Sequence, residues 1–107
     1  MMEDKILSIL ASADHSGFTE LLQGDHLKRY VVAFTNNSEY ALDLLACQAR
    51  FYWAVFTNLT IGWRTTPQGQ IMIDIGTSTD NLHEALELKR IHHQQAVRDR
   101  VLEVEIT

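Results

Sequence analysis

Five histidines (His15, His26, His83, His92 and His93), one cysteine (Cys47) and the run Asp14-His15-Ser16 are the residues of this chain best able to do chemistry. Asp14, His15 and Ser16 have the types of a nucleophilic triad, but sequence neighbours cannot converge on one reacting atom as a triad requires. A zinc site needs three or four ligands at fixed geometry. His83 and Glu87 lie one helical turn apart, yet no spacing such as H-E-x-x-H brings further ligands to them. His92 and His93 are adjacent and point apart, so neither a metal nor another cofactor is expected. Cys47 has no base beside it in sequence, and filling a core is its default role. The acids Glu84, Glu87, Glu103 and Glu105 have Lys89, Arg90, Arg98 and Arg100 nearby and read as solvated faces. No catalytic residue is assigned. For an enzyme, the expected pocket would combine Asp14 or His15 with Tyr52, Trp53 and Trp63.

Two segments resemble known phosphate-binding motifs. Ala13-Asp14-His15-Ser16-Gly17-Phe18 resembles the opening motif of the ribose-5-phosphate isomerase B family, which implies a sugar-phosphate site. That family also needs a catalytic cysteine and a glycine-rich loop. Here Cys47 lies in an apolar run with no glycine cluster after it, so residues 13–18 read as a polar turn between helices. Ile71-Met72-Ile73-Asp74-Ile75-Gly76-Thr77-Ser78-Thr79 resembles the first phosphate motif of the actin and sugar-kinase superfamily. The resemblance implies Asp74 near a metal and Gly76-Thr77 near nucleotide phosphates. In that superfamily a further strand follows, whereas here the turn leads into a helical pattern, and the hydroxyls are expected to cap it.

The elements that must position these residues show in the hydrophobic period. Ile6, Leu7, Ile9 and Leu10 have the spacing of a short amphipathic helix over 3–13, with Glu3 and Asp4 in its first turn, where the dipole favours negative charge. Ser16 is placed to cap a second short helix carrying Phe18, Leu21 and Leu22, ended by Gly24 in the left-handed region. In 28–35 the period becomes two. Tyr30, Val32 and Phe34 oppose Val31, Ala33 and Thr35, both sets mostly apolar, which predicts a central strand covered on both faces. Asn36-Asn37 turns the chain, and Ser38 is a good N-cap for a helix from Glu39 to about Thr57. A strand from Phe51 is the alternative, because 50–57 is aromatic and β-branched. In either form the run Phe51-Tyr52-Trp53-Ala54-Val55-Phe56 must be covered.

Leu59, Ile61 and Trp63, then Ile71, Ile73 and Ile75, alternate on either side of Pro67-Gln68-Gly69 and predict a hairpin. A capping loop over 76–81 leads into a helix reaching Arg98 or beyond. Residues 102–106 are a last strand or the frayed end of that helix. On the helix, Leu82, Ala85, Leu86, His93, Ala96 and Val97 form a stripe for the sheet. Leu88, Ile91 and Leu102 project in a second direction, suited to the N-terminal helices or to a second subunit on a two-fold axis.

The expected fold is α+β, with 1–107 as one domain. A small antiparallel sheet (hairpin 59–75 plus strand 28–35) is packed by N-terminal helices and two longer helices. The chain has 107 residues, 46% hydrophobic and 21% charged, with a formal charge of −5. That charge offers no basic field to nucleic acid, although Lys28-Arg29-Tyr30 and Arg50-Phe51-Tyr52-Trp53 interleave base and aromatic. The apolar run Tyr40 to Phe56 contains Asp43, Gln48 and Arg50 and is too short to span a membrane. The N-terminal residues lack the basic start and apolar run of a secretory signal, so a cytoplasmic location is expected. Asn36-Asn37-Ser38 and Asn58-Leu59-Thr60 then read as turns rather than glycosylation sites. The function expected from these features is non-catalytic protein binding, as a chaperone, an inhibitor or immunity-type partner, or a phage accessory protein. A homodimer through Leu88, Ile91 and Leu102 is the simplest form, with a heterologous protein as the other possible partner. A small enzyme with an interface pocket is the alternative.

Overall fold

Residues that alternate in hydropathy build a sheet, and residues with helical spacing cover it. The computed structural model describes residues 2–11, 18–38 and 41–107. Along the chain come α1 (Met2–Ala11), β1 (Phe18–Gln23), β2 (Tyr30–Ala33), α2 (Leu42–Trp53), β3 (Leu59–Thr65), β4 (Ile71–Thr79), α3 (Leu82–Ile91), β5 (Val97–Asp99) and β6 (Val104–Ile106). The six strands form one sheet in the order β1-β3-β4-β2-β5-β6, and each neighbouring pair is antiparallel. The fold is α+β, as the two periods predict. The hairpin β3–β4 pairs Thr60 with Gly76 and Thr65 with Ile71. Gly69 supplies the positive φ of 82° that its turn requires.

Alternation decides what each face carries. Val32, Phe34, Leu59, Ile61, Ile73 and Ile75 are buried on one face. Ile6 of α1 and Leu45, Ala46 and Ala49 of α2 pack on them. Ala85 of α3 packs on Tyr30, Val32 and Val97, and Leu88 touches both clusters. All three helices therefore cover the same face. Burying one Leu or Ile completely stabilises by roughly 1.5–3 kcal/mol, so this layer carries most of the apolar stabilisation.

Two polar devices hold the sheet together beside that layer. Just before β3, the Asn58 side chain acts as a strand partner for Ser78. Ser78 donates to Asn58 Oδ1 from its N–H and from Oγ, each at 2.9 Å, and Asn58 Nδ2 donates to the Ser78 carbonyl at 3.0 Å. Farther across, Arg29 donates from Nε and Nη2 to the two carboxylate oxygens of Asp99 at 3.0 and 2.9 Å. Asp99 Oδ1 also accepts from the backbone N–H groups of Val101 and Leu102. These donors, Arg29 first, hold the Asp99 carboxyl down at about 2 and pin β5 beside β2.

Several elements differ from what periodicity predicts, each for a physical reason. Residues 18–23 form edge strand β1 rather than a helix, because pairing with β3 satisfies their backbone groups; a bulge lies between Leu21 and Gln23. Gly24 does take a positive φ, 113°, but after a strand. Strand β2 is covered on one face only, and Val31 and Ala33 are half-exposed on the other. Helix α2 starts after Ala41, which makes no side-chain cap, rather than after Ser38. It ends at Trp53, so no strand begins at Phe51. Strand β4 runs through Thr79 where a loop was expected. Asn81 does the capping, its Oδ1 accepting the Glu84 N–H at 3.1 Å. Helix α3 stops at Ile91 rather than Arg98 because His93 takes a left-handed φ of 54° without a glycine to announce it. His93, Ala96 and Val97 consequently lie beyond the helix. The tail pairs as strand β6.

Candidate functional site

Helix α2 is seated by Leu45, Ala46 and Ala49, which are buried, with Leu42 and Tyr52 half-buried beside them. Its opposite side should be polar if the chain acted alone. Instead Leu44 is 47% exposed, Phe51 69% and Val55 70%, and the free Cys47 is exposed between the first two. The Val55 and Phe56 N–H groups both donate to the Tyr52 carbonyl at 3.0 Å. The chain thus keeps turning past the helix end, and Val55 stays in line with Phe51. Residues 44, 47, 51 and 55 form one continuous apolar stripe at helical spacing. The charges flank it. Asp43 lies in the first turn, and Arg50 holds Glu3 of α1 in an ion pair.

The uncovered face of the sheet offers a second surface. A broad open cleft of about 1020 Å³ is lined there by Val31, Ala33, Thr60, Gly62, Arg64, Asp74 and Arg98, among others. Burial pushes the Asp74 carboxyl up to about 6, while the Arg64 guanidinium pulls it back. The register sets Asp74 opposite Gly62 and Met72 opposite Arg64, so this pair is diagonal across β3 and β4. The Asn36 side-chain amide lies beside it, 3.1 Å from Asp74 Oδ1. Arg98 reaches Glu105 on the next strand at 3.6 Å. This face is largely polar, and it lacks the apolar stripe that α2 presents.

The residues singled out in the sequence scatter across the molecule. Asp14 and His15 lie outside the described residues. Tyr52 sits in an aromatic cluster, its ring stacked on Phe34 at 4.3 Å between centroids, with Phe56 and His92 at 4.6 and 4.5 Å from the same Phe34 ring. Burial, with the neighbouring His93 second, lowers the His92 pKa. Trp53 is partly exposed on α2. Of the three aromatics only Trp63 lines the open cleft, and it also packs on the core. Leu88 is half-buried against both core clusters. Ile91 at the end of α3 is 54% exposed and Leu102 in the β5–β6 turn 63%. Sequence reasoning missed the stripe of Leu44, Cys47, Phe51 and Val55, although its spacing was visible, because the run was assigned wholly to the core.

Among the described residues, no group of three or more His, Cys, Asp or Glu is placed to hold a metal ion. No helix among them is long and apolar enough to cross a membrane. Comparison with family models, curated proteins and solved structures returned no match for this chain.

Proposed function

We propose that this chain is a non-catalytic protein-binding module that docks through the outer face of α2. The observation that carries this reading is the exposure of Leu44, Phe51 and Val55 along one line of the helix. These side chains are half to two-thirds exposed, so covering each would gain roughly 1–2 kcal/mol, and contiguous apolar patches of this kind mark sites of association. A chaperone, an inhibitor or an accessory protein would use such a face in the same way. A cytoplasmic setting suits the free thiol of Cys47 within it, because thiols stay reduced there.

The test compares tagged wild type with a Leu44→Asp, Phe51→Asp double variant, purified side by side from the native cells. Wild type should carry a stoichiometric protein partner, or a second copy, that the folded variant loses. Equal retention by both, or no association by either, would overturn the reading. The rival reading, a small enzyme, now draws on Asp74, whose raised pKa keeps it partly protonated near neutral pH, as a general acid needs. Ligand titrations followed by shifts of the Asp74 and Arg64 NMR signals would detect a substrate there.

A further inference from the structure

We propose that the occupant of the α2 face is a second copy of this chain, seated α2 against α2 in antiparallel fashion about a two-fold axis beside Cys47. The proposal rests on the protein-binding reading of that face and adds the identity and orientation of the partner.

From Leu44 to Phe51 the stripe is symmetric about its own midpoint. A two-fold axis crossing the helix between Cys47 and Gln48 sets Leu44 on the same level as the partner's Phe51, and Phe51 on the level of the partner's Leu44. A branched aliphatic then meets an aromatic ring twice. The charges have nearly the same centre of symmetry. Asp43 and Arg50 lie on one flank of the stripe, and a two-fold axis perpendicular to the helix lays each flank beside its own copy. Asp43 therefore lies on the same flank as the partner's Arg50 and about 3 Å beyond its level, an offset that the long guanidinium side chain spans. The Arg50 side chain is 53% exposed while it holds Glu3, and a guanidinium has five donors, so N–H groups remain for a second carboxylate. A parallel pairing, about an axis along the helices, would lay opposite flanks together and keep Asp43 away from the partner's Arg50. Charge complementarity therefore selects the antiparallel arrangement.

This geometry places the two Cys47 side chains near the axis. Packed helices lie 8–10 Å apart, within reach of a short bis-maleimide. Light scattering on the full chain at tens of micromolar should give a dimer mass, and bis-maleimide should join the two chains through Cys47. Leu44→Asp or Phe51→Asp should yield a folded monomer with crosslinking reduced roughly tenfold or more. Asp43→Arg should weaken the dimer, and high salt should weaken wild type. A Cys47→Ser, Arg98→Cys chain, with its thiol moved to the open sheet face, should not crosslink.

A strict monomer overturns the proposal, as does a dimer that crosslinks equally well through Arg98→Cys. Should the aspartate variants fail to fold, the contrast between these two thiol positions in otherwise native chains still decides the matter. A monomeric wild type that nonetheless retains an α2-dependent partner from native cells would remove the second copy and leave the protein-binding reading intact. Loss of both would remove the reading as well.

Discussion

The two faces of the sheet are cut from the same strands and end with opposite characters. On the covered face Val32, Ile61, Ile73 and Ile75 are buried under three helices. Alternate residues on the other face, Thr60, Gly62, Arg64, Asp74 and Arg98, line an open cleft. The difference locates the unused apolar surface. The open face of the sheet is largely polar, with Arg64, Asp74 and Arg98 along it, so it leaves less hydrophobic gain for a partner. The outer face of α2 leaves much more. The helix layer packs one side on the sheet and leaves Leu44 and Phe51 exposed on the other.

Substitutions on the two faces should separate sharply. Ile61→Ala or Ile75→Ala, under the helices, should cost about 2–5 kcal/mol in urea denaturation. A comparable loss from Arg98→Ala on the open face would break the comparison. Gly76 is the expected exception. Although it faces Thr60 across the strands, a Cβ there would lie 2.3 Å from the Val32 carbonyl oxygen and 3.0 Å from Ala33 Cα. Gly76→Ala should therefore cost about 2–3 kcal/mol through forced backbone movement, and a neutral result would show that the two strands can part.

Asp74 makes the open face sensitive to pH. Its folded pKa, near 6, lies above the ordinary 3.8. The folded state thus binds the proton more tightly, and the contribution to stability is full below about pH 4 and lost as pH rises through 6. Asp74→Asn should leave stability almost unchanged at pH 4 and raise it by up to about 3 kcal/mol at pH 8. A variant destabilised at pH 8 would mean that the carboxylate is held by partners stronger than burial. Smallest of all, Arg98→Ala removes an exposed pair with Glu105 and should change stability by less than about 0.5 kcal/mol. Chemical denaturation across pH measures all of these on one footing.

Much of the fold was legible in sequence, and the exceptions share a cause. The hairpin around Pro67-Gln68-Gly69 was readable because alternation and turn chemistry agree over a short stretch. Helix α1 was readable from Ile6, Ile9 and Leu10 for the same reason. Residues 18–23 misled because Leu21 and Leu22 fit a short helix locally, while their pairing with residues 59–63 lies far away in the chain. The end of α3 misled because a histidine, not a glycine, takes the left-handed position. For the candidate site the sequence put Phe51, Trp53 and Val55 under cover, and the structure leaves all three exposed. It also set Leu88 beside Ile91 and Leu102 as one outward edge, whereas Leu88 turns to the core.

The periods of two and 3.6 are local properties, so the sequence by itself determined that this is an α+β chain with a central hairpin and a hydrophobic run at 40–56. It also determined that the apolar residues are unevenly spread. Burial is a property of neighbours distant in sequence, and only the tertiary structure decided which of those residues are covered. By packing Leu45, Ala46 and Ala49 on the sheet, it turned Leu44, Cys47, Phe51 and Val55 outward. A helix that seats one side on a core must present its other side to water or to a partner, and here that other side is apolar.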